Sequence, residues 1–184
     1  QYIDIISIVN VKKKITVHNF LHDENSVSIQ IIDPDNYYEN IIRKEIDTTF
    51  EDIDRNSNVH FFDLSETKDI SEILDAFNTY PYLSKFRYVI VKGITKSDKE
   101  LIIEITDYLK DPSKTTKHIF LFDDNKVKIP CEFFIKEDYT QANIKTFINE
   151  ELKKRNIQLN NEIIEELSAR NFNNKLTLIN EIDK

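Results

Sequence analysis

Glycine is almost missing from this chain: Gly93 is the only one in 184 residues. Phosphate-cradling loops, dinucleotide fingerprints and nucleophile elbows each need several glycines for tight turns and close backbone approach. A P-loop, a Rossmann cofactor site and an α/β-hydrolase are therefore excluded together. Cysteine is as scarce, and Cys131 alone can form neither an intrachain disulfide nor a thiolate zinc cluster; it reads as a small core residue. The histidines His18, His22, His60 and His118 show no metal spacing with it, and no ligand role is expected of them. A basic excess is also lacking. Twenty-five Lys and Arg against 33 Asp and Glu leave a net charge of −8, the wrong sign for neutralising phosphates, so strong direct nucleic-acid binding is not expected. The run Lys12-Lys13-Lys14 reads as a solvated face. No stretch approaches the roughly 20 apolar residues of a membrane span. In QYIDIISIVNVKKK the basic cluster follows the apolar run, the reverse of a signal peptide. A cytoplasmic protein with no membrane partner is expected, and since the sequence starts with Gln1 and ends at NEIDK within a helical pattern, it reads as a piece of a longer chain.

What is present is enough to fold. Forty per cent hydrophobic residues, with eight Tyr and twelve Phe, can bury the core of one domain with a small helical appendage. Residues 1 to 26 are left unassigned. Beyond them, short apolar runs alternate with segments of 3.6 period, the pattern of βαβ units. SVSIQII (26 to 32), NVHFFDL (58 to 64), RYVIVKGI (87 to 94), HIFLFDD (118 to 124) and CEFFI (131 to 135) read as strands. Between them, IDPDNYYENIIRKEI opens a helix that Asp35 can cap. Ile70, Ile73, Leu74 and Phe77 make an apolar stripe ending before Pro81. Ser97-Asp98-Lys99-Glu100 forms a capping box ahead of Leu101, Ile102, Ile105, Tyr108 and Leu109. From Thr140 the period is purely helical, with Ile144, Phe147, Ile148 and Leu152, then Ile163, Ile164 and Leu167 behind an Asn160 cap, then Leu176, Ile179 and Ile182. The expectation is an α/β domain over 27 to 138 with a parallel sheet and helices on both faces, then a three-helix domain over 139 to 184. Ligands of such sheets sit at the strands' carboxyl ends. There this chain offers DPDNYYENI and YVIVKGI, an ATPase-like layout without a phosphate loop or an Asp-Glu metal pair.

Read in order, these pieces resemble the delta subunit of the bacterial DNA polymerase III clamp loader. VHFFDLSETKDISEILDAFNTYPYLSKFRYVIVKG (59 to 93) is similar to its strand, Asp-Leu, amphipathic helix, Pro-aromatic-hydrophobic segment and Arg-led aliphatic strand. DPDNYYENIIRKEI resembles its degenerate phosphate-loop region, ITDYLKDPSKTTKHIFLF its next helix and strand, and NKLTLINEIDK a helix of its second domain. ITVHNFLHDEN matches its short leading helix. Asp33 stands where that family has a glycine, and Lys85-Phe86 where a small and a polar residue are usual. The resemblance implies an AAA+-like first domain, a lid-type second domain and a missing collar domain that would join the other clamp-loader subunits. It implies no cofactor and no catalysis by this chain, the parent holoenzyme being a DNA-directed DNA polymerase. The partner it implies is the sliding clamp, which the subunit would open during DNA replication through a hydrophobic tip. By position that tip is Pro81, Tyr82, Leu83 and Ser84, with Tyr82 and Leu83 as the wedge. The contrary expectation is that both side chains fold back into the core, as most large apolar residues do.

Two other readings stand beside it. Asp33, Asp63, Asp123 and Asp124 all fall at expected strand ends, and carboxylates converging there can hold Mg²⁺ for phosphoester hydrolysis; equally, such aspartates cap helices and shape turns. The other is a different ATPase-dead AAA+-like scaffold subunit. The delta-prime type carries zinc-module cysteines and a Ser-Arg-Cys segment, and this chain has neither.

Overall fold

The computed structural model describes residues 15–49, 52–66, 69–137, 139–170 and 174–184, without the side chains of 52–54. The lysine run at 12–14 lies outside the described residues. Five strands form one sheet: β1 (Ser28–Ile32), β2 (Val59–Asp63), β3 (Arg87–Lys92), β4 (Thr116–Phe122) and β5 (Phe133–Lys136). Their order is β2-β3-β4-β1-β5, and every pairing is parallel. Each strand begins or ends a residue or two from where its apolar run does. The fifth starts two residues after Cys131, which is buried in the core as expected but lies ahead of the strand.

The central strands are apolar on both sides because both faces are covered. On one face Val89, Val91, Phe120 and Phe122 pack against α4 (Ile70–Asn78) and α5 (Lys99–Tyr108). On the other, Ile29, Ile31, Ile90, Ile119 and Leu121 pack with α1 (Val17–His22) and α2 (Tyr37–Thr49). A further short helix, α3 (Asp52–Asn58), leads into β2. The connection from β1 thus crosses one face, and those into β3 and β4 cross the other. This makes the carboxyl ends of β1 and β4 the point where the winding reverses. Three helices follow the sheet, α6 (Gln141–Lys154), α7 (Asn161–Arg170) and α8 (Lys175–Ile182), around a core of Ile144, Phe147, Ile148, Leu152 and Leu178.

Most helix starts are set by short polar side chains. Thr16, Asp69, Thr140, Asn160 and Asn174 each accept a main-chain N–H three residues on, from Asn19, Glu72, Asn143, Ile163 and Thr177, relieving the unpaired donors of the first turn. The expected capping box at Ser97 is not formed. Helix α5 starts at Lys99, and the Asp98 carboxylate turns back to accept both the N–H and the hydroxyl of Thr95 at 2.7 Å. The expected apolar stripes also need correction in the helical region: Ile163 is exposed, and the fully buried residue of α8 is Leu178.

Candidate functional site

Two ends of the sheet carry distinctive chemistry. At the amino end, α4 stops where the Thr79 N–H and hydroxyl both bond to the Asp75 carbonyl, at 3.0 and 2.7 Å. Pro81 then prevents any continuation. The following turn is held from below by Asn58, which is fully buried. Its Oδ1 accepts the Tyr82 N–H at 2.6 Å, and its Nδ2 donates to the Tyr82 carbonyl at 2.8 Å. The Ser84 hydroxyl donates to the Phe86 carbonyl at 3.2 Å. Past the turn, Phe86 enters the core, Lys85 pairs with Glu24, and Arg87 donates to the Ser57 carbonyl at 3.0 Å.

On this fixed turn the apolar side chains face water. Tyr82 is 55% exposed and Leu83 81%, so neither folds back into the core. Pro81 and Ser84 are half-buried. Tyr80, which was not singled out from the sequence, is 81% exposed. Its signal was available, since the residue lies beyond the last position of the α4 stripe and directly before a proline. Leu83 adopts φ +49°, a left-handed backbone that residues with a Cβ rarely take. Strain and exposed apolar area thus coincide, the combination typical of contact loops.

At the carboxyl end the four aspartates proposed as metal ligands do not converge. Asp33 is buried, and its carboxylate accepts the N–H groups of Tyr38 and Glu39 at 2.9 and 2.8 Å, capping α2. Burial raises its pKa against those two bonds, with the nearby Asp35 and Glu39 adding to the rise. Asp63 accepts the Ser65 N–H at 3.0 Å and its hydroxyl at 2.6 Å, shaping the turn beside Gly93. Gly93 has φ +79°, a left-handed backbone that strains any residue with a Cβ, and it packs closely on the Asp63 turn. Asp123 is exposed, and Asp124 pairs with Lys126. Among the described residues no group of ligand atoms gathers these four aspartates. Asp33 caps a helix, Asp63 shapes a turn, and Asp124 accepts the Lys126 N–H at 2.8 Å.

The same crevice is filled by the chain's own charges. Lys92 Nζ lies 2.9 Å from Glu39 Oε2 and 3.4 Å from Asp63 Oδ2, and Arg43 Nη2 lies 2.7 Å from Glu39 Oε1. Burial opposes ionisation of Glu39, yet its bonds to Lys92 and Arg43 hold its pKa below the ordinary value, and the Glu39 contact raises that of Lys92. Next to it, Asp35, expected as the α2 cap, takes the Tyr37 N–H at 3.3 Å but also reaches the helical region. It accepts the Lys175 N–H at 2.6 Å and the Tyr139 hydroxyl at 3.2 Å. Lys175 Nζ bonds to Glu137 at 2.9 Å, and Tyr38 donates to Glu137.

The histidines are not all scattered. His18 and His22 lie on one face of α1 and meet Glu45 of α2. Their i, i+4 spacing is visible in the sequence, whereas the partner Glu45 is 23 residues beyond His22 and comes near only through the packing of α1 on α2.

No family model matches the sequence, and no curated protein matches it. Solved structures do. The Bacillus subtilis DNA clamp loader delta protein superposes with a TM-score of 0.58 at 19% identity, over 86% of this chain and 52% of that one. A Thermotoga maritima DNA polymerase III gamma subunit-related protein gives 0.44 at 15% identity, over 72% and 48%. Domain III of the Thermotoga maritima replication initiation protein DnaA gives 0.48 at 11%, over 90% and 78%. The chain spans about half the length of the clamp loader delta protein, and it shares that protein's fold, an AAA+-like parallel α/β sheet with flanking helices. No helix among the described residues is long and apolar enough to cross a membrane.

Proposed function

We propose that this chain is part of a non-catalytic clamp-loader subunit of the delta type, which binds a DNA polymerase sliding clamp and favours its open form during replication. The observation that carries this reading is the turn at 80–84: Tyr80, Tyr82 and Leu83 exposed together on a backbone fixed by Asn58. A held turn loses little conformational freedom on binding, so more of its apolar contact energy survives as affinity. Burying a large apolar side chain contributes about 1.5–3 kcal/mol. Tyr82 and Leu83 together therefore supply up to several kcal/mol, and the part of it that the pocket gives only in the open clamp favours the opened ring.

The closed crevice supports a role without nucleotide chemistry. Where an ATPase needs unpaired cations and donors for phosphate, this chain has the Glu39–Lys92 pair and the Asp33 cap. In this role ATP acts on other subunits, reached through a collar domain, and the chain makes no strong nucleic-acid contact, in keeping with its net charge of −8.

The test is surface plasmon resonance against the clamp of the same organism, comparing wild type with Tyr82→Ala/Leu83→Ala. The double variant should bind at least about tenfold more weakly while its circular dichroism is unchanged, as expected for two anchor side chains. A folded wild-type chain that ignores the clamp at tens of micromolar would sink the proposal and leave an ATPase-dead scaffold as the reading to pursue.

A further inference from the structure

Helix α1 is amphipathic over only six residues. Val17, Phe20 and Leu21 are buried, which turns His18 and His22 outward along one edge. That edge meets α2 at Glu45. His18 Nδ1 lies 3.0 Å from Glu45 Oε2, His22 Nε2 lies 3.7 Å from the same oxygen, and the two ring centroids are 4.7 Å apart. Two imidazoles and a carboxylate each offer a ligand atom within 4.8 Å of the others. Ligands bound tetrahedrally at about 2.0–2.1 Å stand about 3.3 Å from one another, and the observed 3.0 and 3.7 Å bracket that spacing. Side-chain exposures of 63%, 43% and 30% leave the outer coordination positions open to water.

We propose that His18, His22 and Glu45 bind a divalent transition-metal ion of the zinc, nickel and copper class. Two imidazoles with one carboxylate suit these borderline ions, whereas Mg²⁺ and Ca²⁺ require more oxygen ligands. The ion cross-links α1 to α2. Helix α1 holds to the sheet through three apolar side chains, with Phe20 set edge-on to Phe133 at 6.2 Å, and through the Tyr88 hydroxyl, which donates to the Leu21 carbonyl at 3.1 Å; the bound ion adds to these contacts and stabilises the folded chain by mass action. This site is independent of the turn at 80–84, and its failure would leave the clamp-binding proposal untouched.

The experiment is calorimetric titration of the untagged chain with ZnCl₂, with NiCl₂ and MgCl₂ in parallel, and thermal melts with and without zinc. One zinc per chain is expected, with no heat from Mg²⁺ and a melting temperature raised by zinc and restored by a chelator. His22→Ala and Glu45→Ala should each weaken binding at least about tenfold, since even second-shell losses cost about that much. Nickel should selectively broaden the ring resonances of His18 and His22 in the wild-type spectrum and spare His60 and His118, a measurement that needs no variant to fold. Zinc binding unchanged in His18→Ala/His22→Ala, broadening centred on His60 or His118, or the absence of any binding at tens of micromolar zinc would each overturn the proposal.

Discussion

Replacing Leu83 with glycine separates strain from packing. Leu83 sits at φ +49°, and a left-handed backbone costs a residue with a Cβ about 1–2 kcal/mol, whereas glycine adopts it freely. The side chain is 81% exposed, so deleting it forfeits little burial. Against the relief stands the larger entropy glycine loses on folding, about 0.5–1 kcal/mol. The balance for Leu83→Gly lies between no change and a gain of about 1.5 kcal/mol, a rise of at most about 6 °C in melting temperature for a chain of this size. Clamp affinity moves the other way. Losing a buried Leu from the interface removes about 1.5–3 kcal/mol, a factor of ten or more in Kd. Differential scanning calorimetry gives the first quantity and surface plasmon resonance the second. Leu83→Ala is the control, because it keeps the strain and removes most of the wedge: stability stays level and affinity still falls. A drop of several degrees for Leu83→Gly would show that Leu83 is held by packing. Unchanged clamp binding by a stabilised variant would leave the strain without the purpose assigned to it.

Two further outcomes concern the interior. Lys92→Met leaves Glu39 facing Asp63 with only Arg43 as partner, and for this partly buried pair the expected loss is about 1–3 kcal/mol in urea unfolding. Adding Glu39→Gln should recover part of that loss with a coupling of at least about 0.5 kcal/mol, and strict additivity would contradict the pairing. His118 is fully buried, with Nδ1 3.0 Å from the Val27 carbonyl and Nε2 3.1 Å from the Tyr108 hydroxyl, and burial pushes its pKa down to about 4. The unfolded chain takes up this proton near pH 6.5 and the folded one only near 4, so stability is full above pH 6.5 and falls as the pH drops towards 4, by about 3 kcal/mol from this group. A His118 ring signal that titrates near pH 6.5 in the folded protein would refute this.

The strands were legible because their sequence is unambiguous. Runs such as RYVIVKGI and HIFLFDD are apolar on both faces, and only a strand covered on both sides needs that. The turn at 80–84 was legible as a position but not as a surface, since burial of Tyr82 and Leu83 depends on whether the backbone turns outward. That is decided by Asn58, 24 residues earlier in sequence, which local pattern does not reveal. Asp33 was read as a possible ligand, and Asp35 as the α2 cap, because a carboxylate near a strand end has several uses. Their partners, the N–H groups of Tyr38, Glu39 and Lys175, appear only once the helix start and the helical region are in place. Ser97 is not the cap because α5 starts a residue later than the pattern implies, with Asp98 in the cap position and its carboxylate turned to Thr95. Ile163 was placed on a buried stripe because period marks a face without saying whether a neighbour covers it.

The two ends of β3 connect these findings. Arg87 at its start anchors the exposed turn through the Ser57 carbonyl, and Lys92 at its end closes the crevice on Glu39. An ATP-driven subunit needs its helical region free to swing as nucleotide comes and goes. Here Asp35 is bonded to Lys175 and Tyr139, and Glu137 to Lys175 and Tyr38. Three polar links between the sheet and the helical region, Asp35 to Lys175, Asp35 to Tyr139 and Glu137 to Lys175, resist that swing, so in the proposed role sheet and helices move as one body. A force arriving from the rest of an assembly then reaches the turn at 80–84 without being absorbed by a hinge, and a rigid wedge needs that more than it needs a nucleotide of its own.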